Sequence, residues 1–407
     1  MRAFIRKGYF IPDTGRLQVG VYRIDPGSPA GQARVRVLQH GRPETIIDEL
    51  YTDESGQTPE ITLPTPPLDY SLEEANFAQP YSEYDIEVEL DGYDRLYVDG
   101  VQILPTCLAL QPVNIHPLDA PTPDLDFISI QPQTLFVTYP PKIPEPDVKE
   151  LPPSTGFVVL PEPIVPETIV VHNGLPTNAS AQNYWVPYKD YIKNVASCEI
   201  YATWPEECIK ANVLAIISFT LNRVFTEWYR SKGYYFTITN STQYDHAFNY
   251  GRNIFEEISV IVDEVFSSYI TKPGIRQPLF AQYCDGKRSS CPNWMTQWGS
   301  KDLGDQGYSA LEILQHFYGS DVYIARAEKV EGTPMSYPGV ELVNGSSGMP
   351  VRAIQEQLNV ISNNYPVIGK LRVDGQYGGS TIGAVEAFQK VFKLPVTGRV
   401  DYATWYK

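Results

Sequence analysis

The sequence predicts a multidomain α+β protein: an N-terminal all-β sandwich, a proline-rich linker, a central α+β domain and a C-terminal three-helix unit. Three observations carry this expectation. Residues 1–116 alternate polar and apolar side chains in short runs broken by Gly, Asp and Pro, the pattern of half-buried strands. Residues 117–166 contain 13 prolines. Residues 346–407 repeat apolar side chains at helical spacing. The resulting segments are 1–116, 117–166, 167–330 and 331–407, which suits 407 residues at roughly 100–200 per domain.

In the first segment, Arg16–Tyr22 and Ala33–Leu38 alternate as strands do, and His40-Gly41-Arg42-Pro43 turns the chain. Asp53-Glu54-Ser55-Gly56 precedes the run Glu60–Leu63, and Tyr84–Leu90 places its acids on one face. Asp91-Gly92-Tyr93-Asp94 then leads into Leu96-Tyr97-Val98 and Val101–Leu104. Several short strands at this spacing predict a small sandwich. In the linker, Pro140-Pro141-Lys142-Ile143-Pro144-Glu145-Pro146 and Leu151-Pro152-Pro153 predict an extended, poorly helical chain, because proline fixes φ and lacks a donor. The apolar runs Leu135-Phe136-Val137 and Phe157-Val158-Val159-Leu160 suit contact with a neighbouring domain.

The central segment opens a helix at Pro205, with Glu206 and Glu207 in its first turn, where acids complement the helix dipole. Ile209, Val213, Ile216, Ile217 and Leu221 keep one apolar face through about Trp228. Ile254–Ile270 is a second helical or strand-rich run, and Ser309–Tyr318 is a helix ended by Gly319. In the last segment, Val351, Ile354, Leu358 and Ile361 mark one helical face, and Thr381, Val385, Phe388 and Phe392 mark another. Asp374–Gly378 and Gly398–Asp401 are turns, with Asp401 the N-cap of a third helix. That helix has barely begun at Lys407, so truncation or processing at this end is expected.

Composition excludes several classes of function. A hydrophobic share of 43 % against 20 % charged residues suits a packed core, not global disorder. A net charge of −16 argues against binding nucleic acid through phosphate neutralisation. No apolar run reaches the ~18–20 residues of a membrane span. Met1–Gly8 lacks the apolar stretch of a secretory signal. Residues 1–166 hold 25 acidic and 11 basic residues, whereas 167–407 hold 23 and 21, so the front part carries nearly all the net charge.

The motifs are more specific than the composition. Gly345–Gly348, Val351, Gln355–Asn359, Val373-Asp374-Gly375-Gln376-Tyr377-Gly378, Ala384-Val385, Ala387-Phe388-Gln389 and Leu394–Trp405 resemble, in that order, the three-helix peptidoglycan-binding domain. That family binds cell-wall muropeptides in a shallow groove. The strand order of residues 1–116 resembles the transthyretin-like or carboxypeptidase-regulatory-like sandwich, an accessory module. Trp185–Val195, Cys198-Glu199-Ile200, Trp204-Pro205 and Ile209–Asn212, followed by Trp294–Lys301, Gly307-Tyr308-Ser309 and Phe317-Tyr318-Gly319, resemble SpoIID-type lytic transglycosylases over about 183–324. With Gln282–Arg288, the order of the parts is similar to that of clostridial spore-cortex-lytic enzymes of the SleC type.

This resemblance implies a catalytic acid at Glu199 and a substrate cleft lined by Tyr283, Asp285, Gln297 and Trp298. Hydrolysing a glycosidic bond usually takes two carboxylates. A lytic transglycosylase manages with one, which protonates the leaving oxygen and then assists attack by the muramic acid's own hydroxyl. The apolar and aromatic neighbours Ile200, Tyr201 and Trp204 would raise the pKa of Glu199, expected just before a helix. The related zinc-binding Cys/His cluster is represented here only by His246, so no metal is expected, and no cofactor is implied. Tyr244-Asp245-His246 suggests an acid–base dyad, although a structural histidine is the commoner outcome. Among five cysteines, Cys284 and Cys291 are spaced for pairing across a hairpin, with free thiols the default. The implied partners are spore-cortex peptidoglycan and an activating protease, without nucleic acid or a membrane span, in the cortex region of the spore. Residues 1–158 are expected to hold a proenzyme inactive until cleavage at 140–160, with the β-domain or Phe157–Leu160 over the cleft. The rival functions are an N-acetylmuramoyl-L-alanine amidase and a wall-binding protein without catalysis.

Overall fold

Alternation becomes burial in β1 (Asp13–Arg23), where Leu17, Val19 and Val21 point inward and Arg16 and Gln18 do not. The structure is a computed structural model that describes residues 12–24, 28–118, 127–150, 162–289, 291–329, 340–363, 365–392, 394–401 and 404–405. β2 (Arg34–Gln39), β3 (Arg42–Tyr51), β4 (Ile61–Thr65), the short helix α1 (Asp69–Leu72), β5 (Ser82–Glu89), β6 (Leu96–Ile103), β7 (Leu108–Ile115) and β8 (Phe127–Ser129) follow. One sheet runs β7-β1-β4 and the other β3-β2-β5-β6-β8. Leu17, Val19 and Val21 of the first share a core with Val35, Val37, Ile86, Val88 and Val98 of the second. Arg36 and Glu87 pair across strands at 2.7 Å on the outer face, where such a pair adds little stability.

The central part comprises β9 (Ile164–Val165), β10 (Thr168–His172), β11 (Asn183–Pro187), α2 (Tyr188–Glu199), α3 (Glu206–Phe225), β12 (Ile238–Thr239), β13 (Ile254–Phe255), α4 (Glu256–Val265) and β14 (Ser268–Thr271). It continues through β15 (Tyr283–Cys284), β16 (Met295–Thr296), α5 (Gln297–Asp305), α6 (Ala310–Tyr318), β17 (Tyr323–Arg326) and β18 (Glu328–Lys329). α3 is buried nearly all round, and its buried face includes polar Asn212, Ser218, Thr220, Asn222 and Arg223 as well as its apolar residues. The helical run Glu206–Lys232 is long and apolar enough to cross a membrane by composition, yet 89 % of its apolar window is buried inside the protein. Pro205 stands at the N-cap of α3, and Ser309 and Glu312 form a capping box on α6. The ambiguous run Ile254–Ile270 resolves into strand, helix and strand.

The N-terminal and central parts do not pack as separate bodies. β13 pairs antiparallel with β7, matching Ile254 to Leu110 and Phe255 to Ala109, so the central part supplies a fourth strand to the first sheet. One hydrophobic core extends from Leu17 to Ala327. At the seam, Asn253 Nδ2 donates to the Gln102 carbonyl at 2.9 Å and its Oδ1 accepts from the Gln102 N–H at 3.1 Å. Arg252 Nη2 donates to Gln102 Oε1 at 2.9 Å. Strand pairing across more than a hundred residues leaves no local trace, so the boundaries at 116 and 166 mark composition and not packing.

The C-terminal part has its own core, built from Val351, Ile354 and Leu358 of α7 (Met349–Ile361), Val385 and Phe388 of α8 (Gly379–Val391), and Leu342, Tyr377 and Val400. Two buried glutamines organise its turns. Gln355 Oε1 accepts from the N–H groups of Asp374 and Gly375 at 3.0 and 2.8 Å. Gln389 Oε1 accepts from those of Thr397 and Gly398 at 2.9 and 3.0 Å. Asp401 Oδ1 accepts from the Thr404 N–H at 2.7 Å, the capping bond expected for the third helical segment.

The Asn253 bridge gives a test of the shared core. Asn253→Ala leaves the buried N–H and carbonyl of Gln102 without partners, an expected loss of about 2–4 kcal/mol. Thermal melting should show one transition for the body formed by residues 12–329, moved to lower temperature. Two separable transitions for its N-terminal and central parts would contradict the shared core.

Candidate active site

Glu199 is the last residue of α2, not the residue before a helix. Its backbone position leaves the helix's final carbonyls to be satisfied from outside. The Thr134 N–H donates to the Cys198 carbonyl at 3.0 Å and Gln133 Nε2 to the Ser197 carbonyl at 3.1 Å, so the linker closes this helix end. The Glu199 side chain is buried, with the residue only 3 % exposed. Its Oε1 accepts from the Ala247 N–H at 2.8 Å, and Gln297 Nε2 lies 3.4 Å from Oε2 while donating to the Glu199 carbonyl at 2.9 Å. Burial raises the carboxyl's pKa, against the opposing pull of Lys142, the Ala247 N–H and Gln297. The negative end of the α2 dipole acts in the same direction as burial.

Aromatic groups wall the carboxyl. Tyr283 lies beside it, its phenol raised by burial, and its hydroxyl faces the Glu199 carboxyl without a well-formed hydrogen bond. The His246 ring stands 5.9 Å from that of Tyr283 and 4.2 Å from that of Phe219. His246 Nδ1 meets Tyr191 Oη at 3.0 Å, while its buried Nε2 has no partner. Burial, with Lys142 and Arg223 nearby, holds this imidazole well below its usual pKa, and so neutral. Asp245 forms no dyad with it. Its carboxylate accepts from Arg223 Nε at 2.7 Å, Tyr229 Oη at 2.7 Å and the Thr239 N–H at 2.9 Å.

The remaining expected residues occupy two neighbouring positions. Thr296 Oγ1 accepts from the Gly299 N–H at 3.2 Å, which starts α5 at Gln297 and aims that amide at Glu199. Trp298 packs at 5.0 Å from Trp204 and leaves its Nε1 without a partner. Asp285 instead turns its own loop, accepting from the N–H groups of Lys287, Arg288 and Ser289 at 3.2, 2.8 and 2.8 Å. Gly286 in that loop has φ +80°, and a Cβ there would stand 2.6 Å from Thr296 Cβ. Glu199, Tyr283 and Gln297 therefore meet at one point, Trp298 lies in the adjoining aromatic cluster, and Asp285 shapes the loop.

The cysteine expectation needs correction: Cys284 and Cys291 form a disulfide that closes the same loop. Cys107, Cys198 and Cys208 are free and buried. Burial raises the Cys198 thiol, the reverse of what a nucleophile requires. Lys210 pairs with Glu264 at 2.9 Å on α4. Among the described residues, His40, Asp85 and Asp99 are the group spaced for a metal. The Asp85 carboxylate there is already committed to the Gly41 and Gly100 N–H groups, Tyr97 and His40.

Sequence reasoning missed Ala247 and Lys142. The Ala247 contribution is a backbone N–H, which carries no side-chain signal. Lys142 sits between prolines and resembles ordinary linker charge. A buried carboxyl whose pKa is raised, with an amide, a phenol and a neutral imidazole around it, is a group suited to hold and donate one proton in an aromatic-walled site.

Residues 347–407 match the protein family described as "Putative peptidoglycan binding domain". No curated protein matches the chain. Among solved structures, the Bacillus anthracis TIE protein is similar over 26 % of this chain and 17 % of its own, at 14 % identity and TM-score 0.19. The minor pilin GBS52 of Streptococcus agalactiae is similar over 28 % and 48 %, at 14 % identity and TM-score 0.18. Catechol 1,2-dioxygenase from Pseudomonas arvilla C-1 is similar over 30 % and 57 %, at 13 % identity and TM-score 0.19. The chain spans less than two thirds of each of these proteins, and likenesses this slight say nothing of its chemistry. The chain carries a peptidoglycan-binding domain at its C-terminus, and that domain associates it with the cell wall.

Proposed function

We propose that this protein is a lytic transglycosylase of spore-cortex peptidoglycan, of the SleC type, that acts in germination and is stored as a proenzyme. The observation that carries the reading is Glu199: one buried carboxyl, its pKa raised, held between the Ala247 N–H and Gln297 in a chain with a peptidoglycan-binding domain. In the first half of the reaction the Glu199 carboxyl gives its proton to the glycosidic oxygen between muramic acid and glucosamine, and the C1–O bond breaks. In the second half the carboxylate takes the proton of the muramic acid's own 6-hydroxyl as that oxygen attacks C1. The product is a 1,6-anhydro sugar, the acid is regenerated and no water is consumed. Gln297 orients the carboxyl, and Trp298 offers an aromatic face for a sugar ring once the cleft is open.

The proenzyme part of the reading is supported by the burial of Glu199, which leaves no room for sugar. What lies over the site is linker residues 132–149. Residues 157–160, expected in that place, fall outside the described residues.

Glu199→Gln keeps the shape and the acceptor for Ala247 but has no proton to deliver. In a turbidity assay on purified cortex with protein cut in the linker, the rate should fall about 10²–10⁴-fold, with the melting temperature unchanged. In linker-cut protein that keeps Glu199 the rate should decline as pH rises through the elevated pKa of Glu199, because only the protonated form is the acid. A Glu199→Gln variant that lyses cortex near full rate would reject Glu199 as the acid.

Deletion of residues 346–407 should reduce pelleting with cortex sacculi far more than it slows cleavage of soluble fragments, since tethering raises the local concentration of substrate. Unchanged pelleting would count against a wall-anchoring role.

A further inference from the structure

We propose that linker residues 132–149 are an intramolecular ligand of the cleft, with Lys142 seated in the substrate subsite beside Glu199. This rests on the reading of Glu199 as the catalytic acid. The linker crosses the central part as a strap with a regular sidedness. Lys142, Glu145 and Lys149 turn inward, while Ile143, Pro144, Pro146 and Val148 face solvent. Prolines suit this course, because an exposed backbone without N–H groups needs no partner on its outer side.

The pocket that receives Lys142 is built for a polar ligand. The Lys142 ammonium donates to the Asp245 carbonyl and stands 4.7 Å from the Tyr283 ring centre and 5.5 Å from that of Phe219. Its charge acts on Glu199 and His246, and Glu199 favours it while burial opposes it. His246 Nε2, buried at this spot, still lacks a partner with the strap in place, and the Tyr283 hydroxyl reaches only the Glu199 carboxyl, short of a well-formed hydrogen bond. Leaving such groups unsatisfied is costly. A sugar bearing hydroxyl or acetamido N–H groups would satisfy that nitrogen and displace the ammonium from the aromatic faces. Strap and sugar thus compete for one subsite.

The strap is anchored on both sides of that subsite. Glu145 takes two bonds from Arg223, at 2.7 and 3.0 Å, and one from Lys149 at 2.7 Å. The Lys149 ammonium lies 3.7 Å from the Phe280 ring centre. The Ile143 N–H donates to the Gln243 carbonyl at 2.8 Å, and Gln282 bonds both the Ile143 carbonyl and the Glu145 N–H at 2.8 Å. The Phe280 N–H donates to the Asp147 carbonyl at 2.8 Å. Upstream, Arg288 of the disulfide-closed loop donates to the Leu135 carbonyl. The Asn253 seam still holds the N-terminal part after cleavage, so a cut beyond residue 149 frees only the downstream end of the strap. That lets sugar displace it.

The test uses full-length, uncut protein with Lys142→Ala and, separately, Glu145→Gln, which loosens an anchor away from the acid. Two readouts are taken: cortex lysis, and labelling of the Glu199 carboxyl by a water-soluble carbodiimide with an amine, located by mass spectrometry. Both variants should raise Glu199 labelling and lysis at least tenfold over uncut wild type. Labelling that rises without lysis supports the strap and rejects the lytic reading. Labelling and lysis both at the uncut wild-type level, in folded variants of a protein that does lyse cortex once cut, would overturn the strap and leave the lytic reading standing. Labelling at that level in folded variants overturns the strap even if the cut protein is inert.

Discussion

A guanidinium with no exposed side-chain surface has to find its counter-charges inside the protein, and Arg223 finds two. Asp245 binds it at 2.7 Å from the loop that also presents the Ala247 N–H to Glu199. Glu145 binds it at 2.7 Å from the linker. Burial works against the charge of Arg223, and the two carboxylates outweigh that effect, so the guanidinium stays ionised. One buried cation therefore ties together the site's backbone donor, the segment that covers the site, and α3, the central helix from which Arg223 projects.

The chemistry of the site follows from the same distribution of charge. Asp245 is bound to Arg223, and Glu199 is the carboxyl of the site that stands outside that ion pair. The carboxyl sits at the wrong end of a helix for an anion and among aromatic rings, and both conditions favour its neutral form. The neutral imidazole of His246 and the phenol of Tyr283 add polarity without adding charge. That is the setting in which the proposed proton donation to a glycosidic oxygen would take place. The peptidoglycan-binding domain associates the chain with the cell wall, as the proposed action on an insoluble polymer would require.

Local features were legible in the sequence. The apolar spacing of α3, its proline start and its acidic first turn appear where expected, as does the Asp401 cap. The Cys198-Glu199 motif singled out Glu199 but placed it outside the helix, because α2 continues through residues whose burial and not their propensity keeps them helical. Distant partners were not legible. Nothing near Ile254 announces its pairing with Leu110, and nothing near Lys142 announces Tyr283. Proline content identified the linker as extended but could not show that its charges at 142, 145 and 149 face inward. The two buried glutamines at 355 and 389 were readable as motif residues, while their service to the turns of 374–375 and 397–398 needed the fold.

The most direct measurement is mass spectrometry of the sugars and peptides released when purified cortex is digested by linker-cut protein. The proposed transglycosylase should release fragments ending in 1,6-anhydro-muramic acid, with stem peptides still attached. Free stem peptides with intact glycan, or reducing ends made by hydrolysis, would contradict it.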